Sequence, residues 1–194
     1  SLKPCRFLSA SESRGDQWLD ASSLKTITGG NLIRCAMKYQ NHFSYRPQYK
    51  IWLSSNHTPK VDVDDDASWA RIRVIRFPNS HLGHEDKELK ARMRAPAMLA
   101  QVLAWGVAGA QKWYAASGKG LTTPAAVEAE TQAARDTLDL VGQWLAEAID
   151  ITNNETDFVS NPTLYAYYKD WCDENGATPK KISGLTQALK SKGL

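Results

Sequence analysis

The sequence predicts an α/β fold, with a mostly parallel sheet in the first 77 residues and helices alone after it. Two observations carry this. Residues 5–10 and 49–54 are short apolar runs of strand length, as in buried central strands of a parallel sheet, and past Pro78 the apolar positions recur at helical spacing. After the first run, residues 16–25 suit a helix with Trp18, Leu19 and Leu24 facing inward, stopped by Thr28-Gly29-Gly30. Met37, Tyr39, Phe43 and Tyr45 fall at alternate positions on either side of Gln40-Asn41, the pattern of a hairpin with a polar, exposed tip. Pro47 precedes the second run, and Asn56 sits just past its end, where a sheet presents functional side chains. Asp64-Asp65-Asp66 is an acidic start for a helix through Arg71, and Val74-Ile75-Arg76-Phe77 reads as a third strand.

Leu99, Val102, Leu103, Gly106, Ala110, Trp113 and Tyr114 mark a long helix that Gly118 ends, and the small, Thr-rich stretch 117–124 is the best linker candidate. Leu138, Val141, Leu145 and Ile149 form an apolar stripe on a second long helix, followed by a polar loop over 152–157. Asn161-Pro162 opens a third, with Leu164, Tyr168, Trp171 and Cys172 inward and Asn175-Gly176 closing it. After Pro179, Ile182, Leu185 and Leu189 share one face of a short helix beside Lys181, Lys190 and Lys192. Three helices ending on a basic one are the pattern of a helix-turn-helix or winged-helix module. The sequence has no internal repeat and no low-complexity tract.

At 194 residues, 42% hydrophobic and 23% charged, the chain has the composition of a folded globular protein, with room for one large domain or a truncated one and a small appendage. A net charge of +3, from 24 basic and 21 acidic residues, is too small to argue a nucleic-acid partner. Its distribution says more, because residues 179–194 carry four lysines and no acid. Cys5, Cys35 and Cys172 are odd in number and far apart, which argues against a disulfide framework and for a reducing, cytoplasmic setting. No apolar stretch approaches the ~20 residues that cross a bilayer, and no charged-then-apolar leader is expected. His81 and His84 lack further ligands nearby, so a metal site is not expected there.

A strand ending in Glu12, a second ending near Asn56 and an Arg on an acidic-led helix together resemble half a nucleotide site, able to supply metal chemistry, water positioning and charge neutralisation. The half that cradles phosphate is missing from these residues. No Gly-x-x-x-x-Gly-Lys-Ser/Thr occurs, and the only Gly-Lys pair, Gly118-Lys119, is followed by Gly120.

Five segments carry a more specific resemblance: Ala10-Ser11-Glu12; Lys25-Thr26-Ile27-Thr28-Gly29-Gly30-Asn31; Phe43-Ser44-Tyr45-Arg46-Pro47; Lys50-Ile51-Trp52-Leu53-Ser54-Ser55-Asn56-His57-Thr58-Pro59; and Trp69-Ala70-Arg71-Ile72. In order and spacing, over residues 5–78, they resemble the C-terminal part of the phage and plasmid primase-helicases, whose motor is a superfamily 3 helicase of the AAA+ class. Residues 164–176 look like the helix that introduces the family's poxvirus-primase-like winged-helix tail. Asn31, Ala36 and Ala70 depart from the family pattern, which usually has Asp, Arg and Arg there.

The resemblance implies a partial AAA+ core over residues 1–78, a helical lid over 79–120, and a linker with a truncated winged-helix-like domain over 121–194. It makes Glu12 the Walker B carboxylate that holds Mg²⁺ and polarises the attacking water. Asn56 becomes the sensor that contacts the γ-phosphate and that water; the alternative, an Asn turning the chain before His57-Thr58-Pro59, needs no nucleotide. Arg71 becomes the arginine finger on a neighbouring subunit's ATP. The hairpin is then a DNA-contacting element with Lys38, Gln40, Asn41 and His42 near its tip, or else a plain solvated turn. Lys180, Lys181 and Lys190 would bind duplex DNA or a replication partner. The leading expectation is therefore a fragment of an ATP-dependent replicative DNA helicase of phage, prophage or plasmid origin, a hexameric ring translocating on single-stranded DNA in a bacterial cytoplasm. ATP and Mg²⁺ serve the intact parent, and neither is expected to bind this P-loop-less chain tightly. The rival expectation is a non-enzymatic DNA-binding or replication-assembly module acting through the C-terminal helices.

Overall fold

The computed structural model describes residues 2–11, 18–36, 38–39, 41–116, 122–152, 154 and 156–194. The chain forms two compact units, Ser1–Val74 with Glu130–Leu194, and Ile75–Ala129. Its elements are β1 (Phe7–Ser11), α1 (Ala21–Thr28), β2 (Ile33–Cys35), β3 (Phe43–Tyr45), β4 (Lys50–Ser54) and α2 (Asp66–Trp69). There follow α3 (Leu89–Arg94), α4 (Pro96–Ala115), α5 (Ala125–Leu138), α6 (Leu140–Ala148), α7 (Asn161–Glu174) and α8 (Ile182–Ser191).

In the first unit the two apolar runs pair as parallel strands, β1 with β4, in a register that sets Phe7 opposite Lys50 and Ser11 opposite Ser54. Their expected burial does not follow. Parallel strands are usually covered on both faces by crossover helices, and β4 is exposed along its whole length. Phe7 and Trp52 lean on each other with ring centroids 6.1 Å apart, yet remain 61% and 49% exposed. An antiparallel hairpin does form, with Ile33 opposite Tyr45 and Cys35 opposite Phe43, but its first strand precedes the expected positions: Tyr39 lies in a turn and Met37 outside the described residues.

Two other expectations shift for local reasons. The first described helix starts at Ala21, where the Asp20 carboxylate caps it by accepting the Ser23 amide at 2.8 Å; the expected start at Asp16 lies outside the described residues. Trp18 and Leu19 are instead extended: Trp18 bridges to Lys60, and the Leu19 amide donates to the Lys60 carbonyl at 2.9 Å. No strand forms over 74–77. The Val74 amide donates to the Thr131 hydroxyl at 2.9 Å, so this backbone is satisfied by the side chain of a helix and not by a sheet ladder.

The core of the first unit lies among α6, α7 and α8, where Val141, Trp144, Leu145, Tyr168, Cys172, Leu185, Ala188 and Leu189 are buried together. The ends of these helices follow from sequence. Asp139 separates α5 from α6 and caps α6 through the Gly142 amide at 2.9 Å, Ser160 caps α7 with Pro162 in its first turn, and Gly176 leaves α7 with φ +63°. Trp144 and Tyr168 meet edge to face with centroids 5.2 Å apart.

In the second unit Ala95, preceding Pro96, is held extended at φ −63° and ψ 142°, which ends α3 and starts α4. The helical spacing of Leu99 through Tyr114 is realised in α4, a 20-residue helix with no buried residue. Gly118, its expected stop, lies outside the described residues. Among the described residues no helix is long and apolar enough to cross a membrane.

Candidate functional site

The register of β1 and β4 brings Ser11 and Ser54 level at the C-terminal ends of two parallel strands. Glu12 follows Ser11 in sequence but lies outside the described residues. Asn56 stands two residues beyond Ser54 in an exposed bend, where the His57 amide donates to the Ser55 hydroxyl at 3.0 Å. Ends of parallel strands are where open α/β sheets place ligand-contacting groups.

The acidic run before Arg71 serves as a junction. Asp64 accepts from Lys180 Nζ at 3.1 Å and from the Ser191 hydroxyl at 3.3 Å, both in or beside α8. Asp65 pairs with Lys25 of α1 at 2.7 Å and also accepts from the Ser68 hydroxyl at 2.7 Å. Asp66 pairs with Arg135 of α5 at 2.6 Å, and the same guanidinium donates to the Val63 carbonyl and lies 5.8 Å from the Trp69 ring centre. Three consecutive carboxylates thus meet three cations, two on α1 and α5 and one just before α8. Below them Ser68 and Trp69 are buried, and the Trp69 indole donates to the Asp62 carbonyl at 3.0 Å. Arg71 emerges one turn past this anchor and is exposed; its Nη1 donates to the Ala67 carbonyl of its own turn. Trp69 therefore fixes the segment and Arg71 is the group left at the surface.

Lys25, then the Ser68 hydroxyl, hold the Asp65 carboxyl down at about 2, below the ordinary 3.8. A depressed folded-state value means that this stabilisation is complete above about pH 4 and fades as pH falls toward 2, because the unfolded chain takes up the proton first. Circular-dichroism melts at stepped pH are expected to show the wild-type midpoint falling through that window more steeply than that of Asp65→Asn. Parallel slopes would remove Asp65 from the junction.

At the hairpin, Lys38, Asn41 and His42 are exposed near the tip, and Gln40 lies outside the described residues. The C-terminal lysines divide into two kinds. Lys180 is bound to Asp64, and Lys192 pairs with the Asp139 that caps α6, so both hold the fold together. Lys181 and Lys190 are exposed. One signal for a charged face is absent from the motif reading: between Asp20 and Asp62 there are six Lys and Arg and no Asp or Glu. Counting charge sign along the chain finds it, and the hairpin lies within that stretch.

Among proteins similar to this chain are two viral ones. "Putative helicase L207/L206" of Acanthamoeba polyphaga mimivirus is 24% identical over 187 residues, 90% of this chain. "Putative helicase 022R" of Frog virus 3 (isolate Goorha) is 29% identical over 80 residues, 39% of this chain. The chain spans 19% of the first relative and 8% of the second. No protein-family profile matches it.

Proposed function

We propose that this chain is part of an ATP-driven DNA helicase of the superfamily 3, primase-helicase kind, working as a ring on single-stranded DNA. The observation that supports it most is the parallel register of β1 and β4, which levels the strand ends adjoining Glu12 and Asn56. On this reading Glu12 polarises the attacking water, Asn56 contacts the γ-phosphate, and Arg71 supplies positive charge to the ATP of the next subunit. Neither carboxylate nor amide replaces the backbone donors of a phosphate loop, so turnover belongs to the longer protein. The described residues hold no group of three or more His, Cys, Asp or Glu fit to bind a metal; Mg²⁺ enters this reading with ATP, whose charge it neutralises. Exposed Lys181 and Lys190 extend the DNA-facing surface to the winged-helix-like C-terminal helices.

The test uses the full-length protein. Glu12→Gln is expected to abolish DNA-stimulated ATP hydrolysis and strand separation while leaving nucleotide binding in place, since only the group acting on water is lost. Undiminished turnover would exclude Glu12 from that role. DNA binding by a wild-type protein that hydrolyses no ATP would favour a non-enzymatic assembly module instead.

A further inference from the structure

The segment that displays Arg71 does not fix its own course. Its helix, α2, has four residues, too few to be stable by itself, and no residue from 70 to 74 is buried. Past buried Trp69, hydrogen bonds take over. The Arg71 and Ile72 amides close a turn on the Ser68 and Trp69 carbonyls at 3.0 and 3.1 Å, and the Val74 amide donates to the Thr131 hydroxyl of α5 at 2.9 Å.

The same helix holds the segment upstream of Arg71. Arg135, one turn after Thr131, donates from Nε and Nη2 to the Val63 carbonyl at 3.0 and 2.6 Å, and from Nη2 to Asp66 at 2.6 Å. Its guanidinium also lies 5.8 Å from the Trp69 ring centre. Side chains one turn apart share a helix face, so one face of α5 grips the chain at Val63 and Asp66 and again at Val74. Arg71 stands between the two holds. Near them α5 buries only Ala134, which makes the grip polar, and hydrogen bonds are directional where apolar contact is not. The upstream hold also needs a planar fork, since an ammonium does not span a carbonyl and a carboxylate in that way.

We infer that Arg135 and Thr131 are positioning residues for Arg71, holding both ends of its segment so that the guanidinium meets the neighbouring subunit's ATP at a fixed place. This rests on the reading above of Arg71 as the residue acting on that ATP. A group that stabilises a transferring phosphate must be closely placed, and a displacement of about 1 Å costs about 10²-fold in rate. Arg135 and Thr131 act through the backbone on either side of Arg71, not on the nucleotide.

The experiment measures DNA-stimulated ATP hydrolysis by the full-length protein. Thr131→Val keeps the shape of the side chain and removes the acceptor of the Val74 amide, whereas Thr131→Ser keeps the acceptor. Valine is expected to lower kcat toward the about 10²-fold of a displaced group, with KM for ATP unchanged, and serine to retain most of the activity. Arg135→Lys, which keeps the charge and loses the fork, is expected to behave like Thr131→Val. In an Arg71→Ala background neither substitution is expected to lower the residual turnover further, because a residue that acts only through Arg71 has nothing left to place. Unchanged kcat in Thr131→Val and Arg135→Lys, with Arg71→Ala impaired, would overturn the positioning and leave the role of Arg71 standing. A further loss in the Arg71→Ala background would overturn it too, by making both residues braces of the fold. Turnover unaffected by Arg71→Ala would overturn the reading of Arg71 itself, and the inference with it.

Discussion

Arg71→Ala in the full-length protein is expected to lower DNA-stimulated ATP turnover by about 10³-fold or more, the scale on which arginine fingers act, without unfolding the subunit. The second half of that expectation follows from geometry. The segment before Arg71 is held by buried Ser68 and Trp69 and by three ion pairs, whereas Arg71 is exposed and its guanidinium meets the Ala67 carbonyl of its own turn. Removing it costs the fold a surface contact and little else. Lys is expected to rescue poorly, because an ammonium cannot present a planar fork to two phosphate oxygens. The measurement that assigns the residue mixes Arg71→Ala with Glu12→Gln subunits, each inactive alone. Partial recovery in mixed rings is expected, at interfaces pairing an intact Glu12 with a neighbour's intact Arg71. No recovery in rings shown to contain both subunits would count against action in trans.

Trp144→Ala is the substitution expected to cost the most stability, about 3–5 kcal/mol in urea-induced unfolding. Trp144 is fully buried among α6, α7 and α8 and packs edge-on to Tyr168, itself fully buried. Truncation leaves a cavity in a core of only eight buried side chains, with few neighbours available to collapse into it. The contrast is Trp105→Ala on α4, where the ring is 79% exposed and the expected change is within about 0.5 kcal/mol. Comparable losses at the two positions would mean that the helical core is not where this protein's stability resides.

The helical core was legible because its signal is local. Val141, Leu145, Tyr168, Cys172, Leu185 and Leu189 recur at helical spacing and all are buried; Trp144 belongs to the same face, three residues after Val141, and the stripe passed over it. The existence of a hairpin was legible too, because Phe43 and Tyr45 alternate after a polar pair, but its first strand, Ile33–Cys35, lies before the alternating Met37 and Tyr39. Burial of β4 was not, because apolarity says which residues favour cover and not whether helices supply it. The Val74 stretch shows a tertiary contact overriding β-propensity, its amide taken by a hydroxyl 57 residues away. Of the site, strand order and the position of Asn56 could be anticipated from motif spacing. The junction at Asp64, Asp65 and Asp66 could not, because ion pairs between residues far apart in sequence leave no periodic trace, the pair of Lys180 with Asp64 among them. Tyr39 was read as one beat of an alternating pattern; only its backbone conformation and exposure set it apart.

The Asp64 contacts also bear on how the protein is made. Lys180 and Ser191 reach that carboxylate across 116 and 127 residues, and the unit they close is interrupted in sequence by the whole of Ile75–Ala129. At ordinary rates of synthesis the Asp64 segment emerges from the ribosome on the order of ten seconds before the residues that complete it. Until then its carboxylates lack two of their three cations, Arg135 and Lys180. This is a high-contact-order closure, slow by its topology, because Asp64 meets Lys180 and Ser191 only after the chain has been made that far.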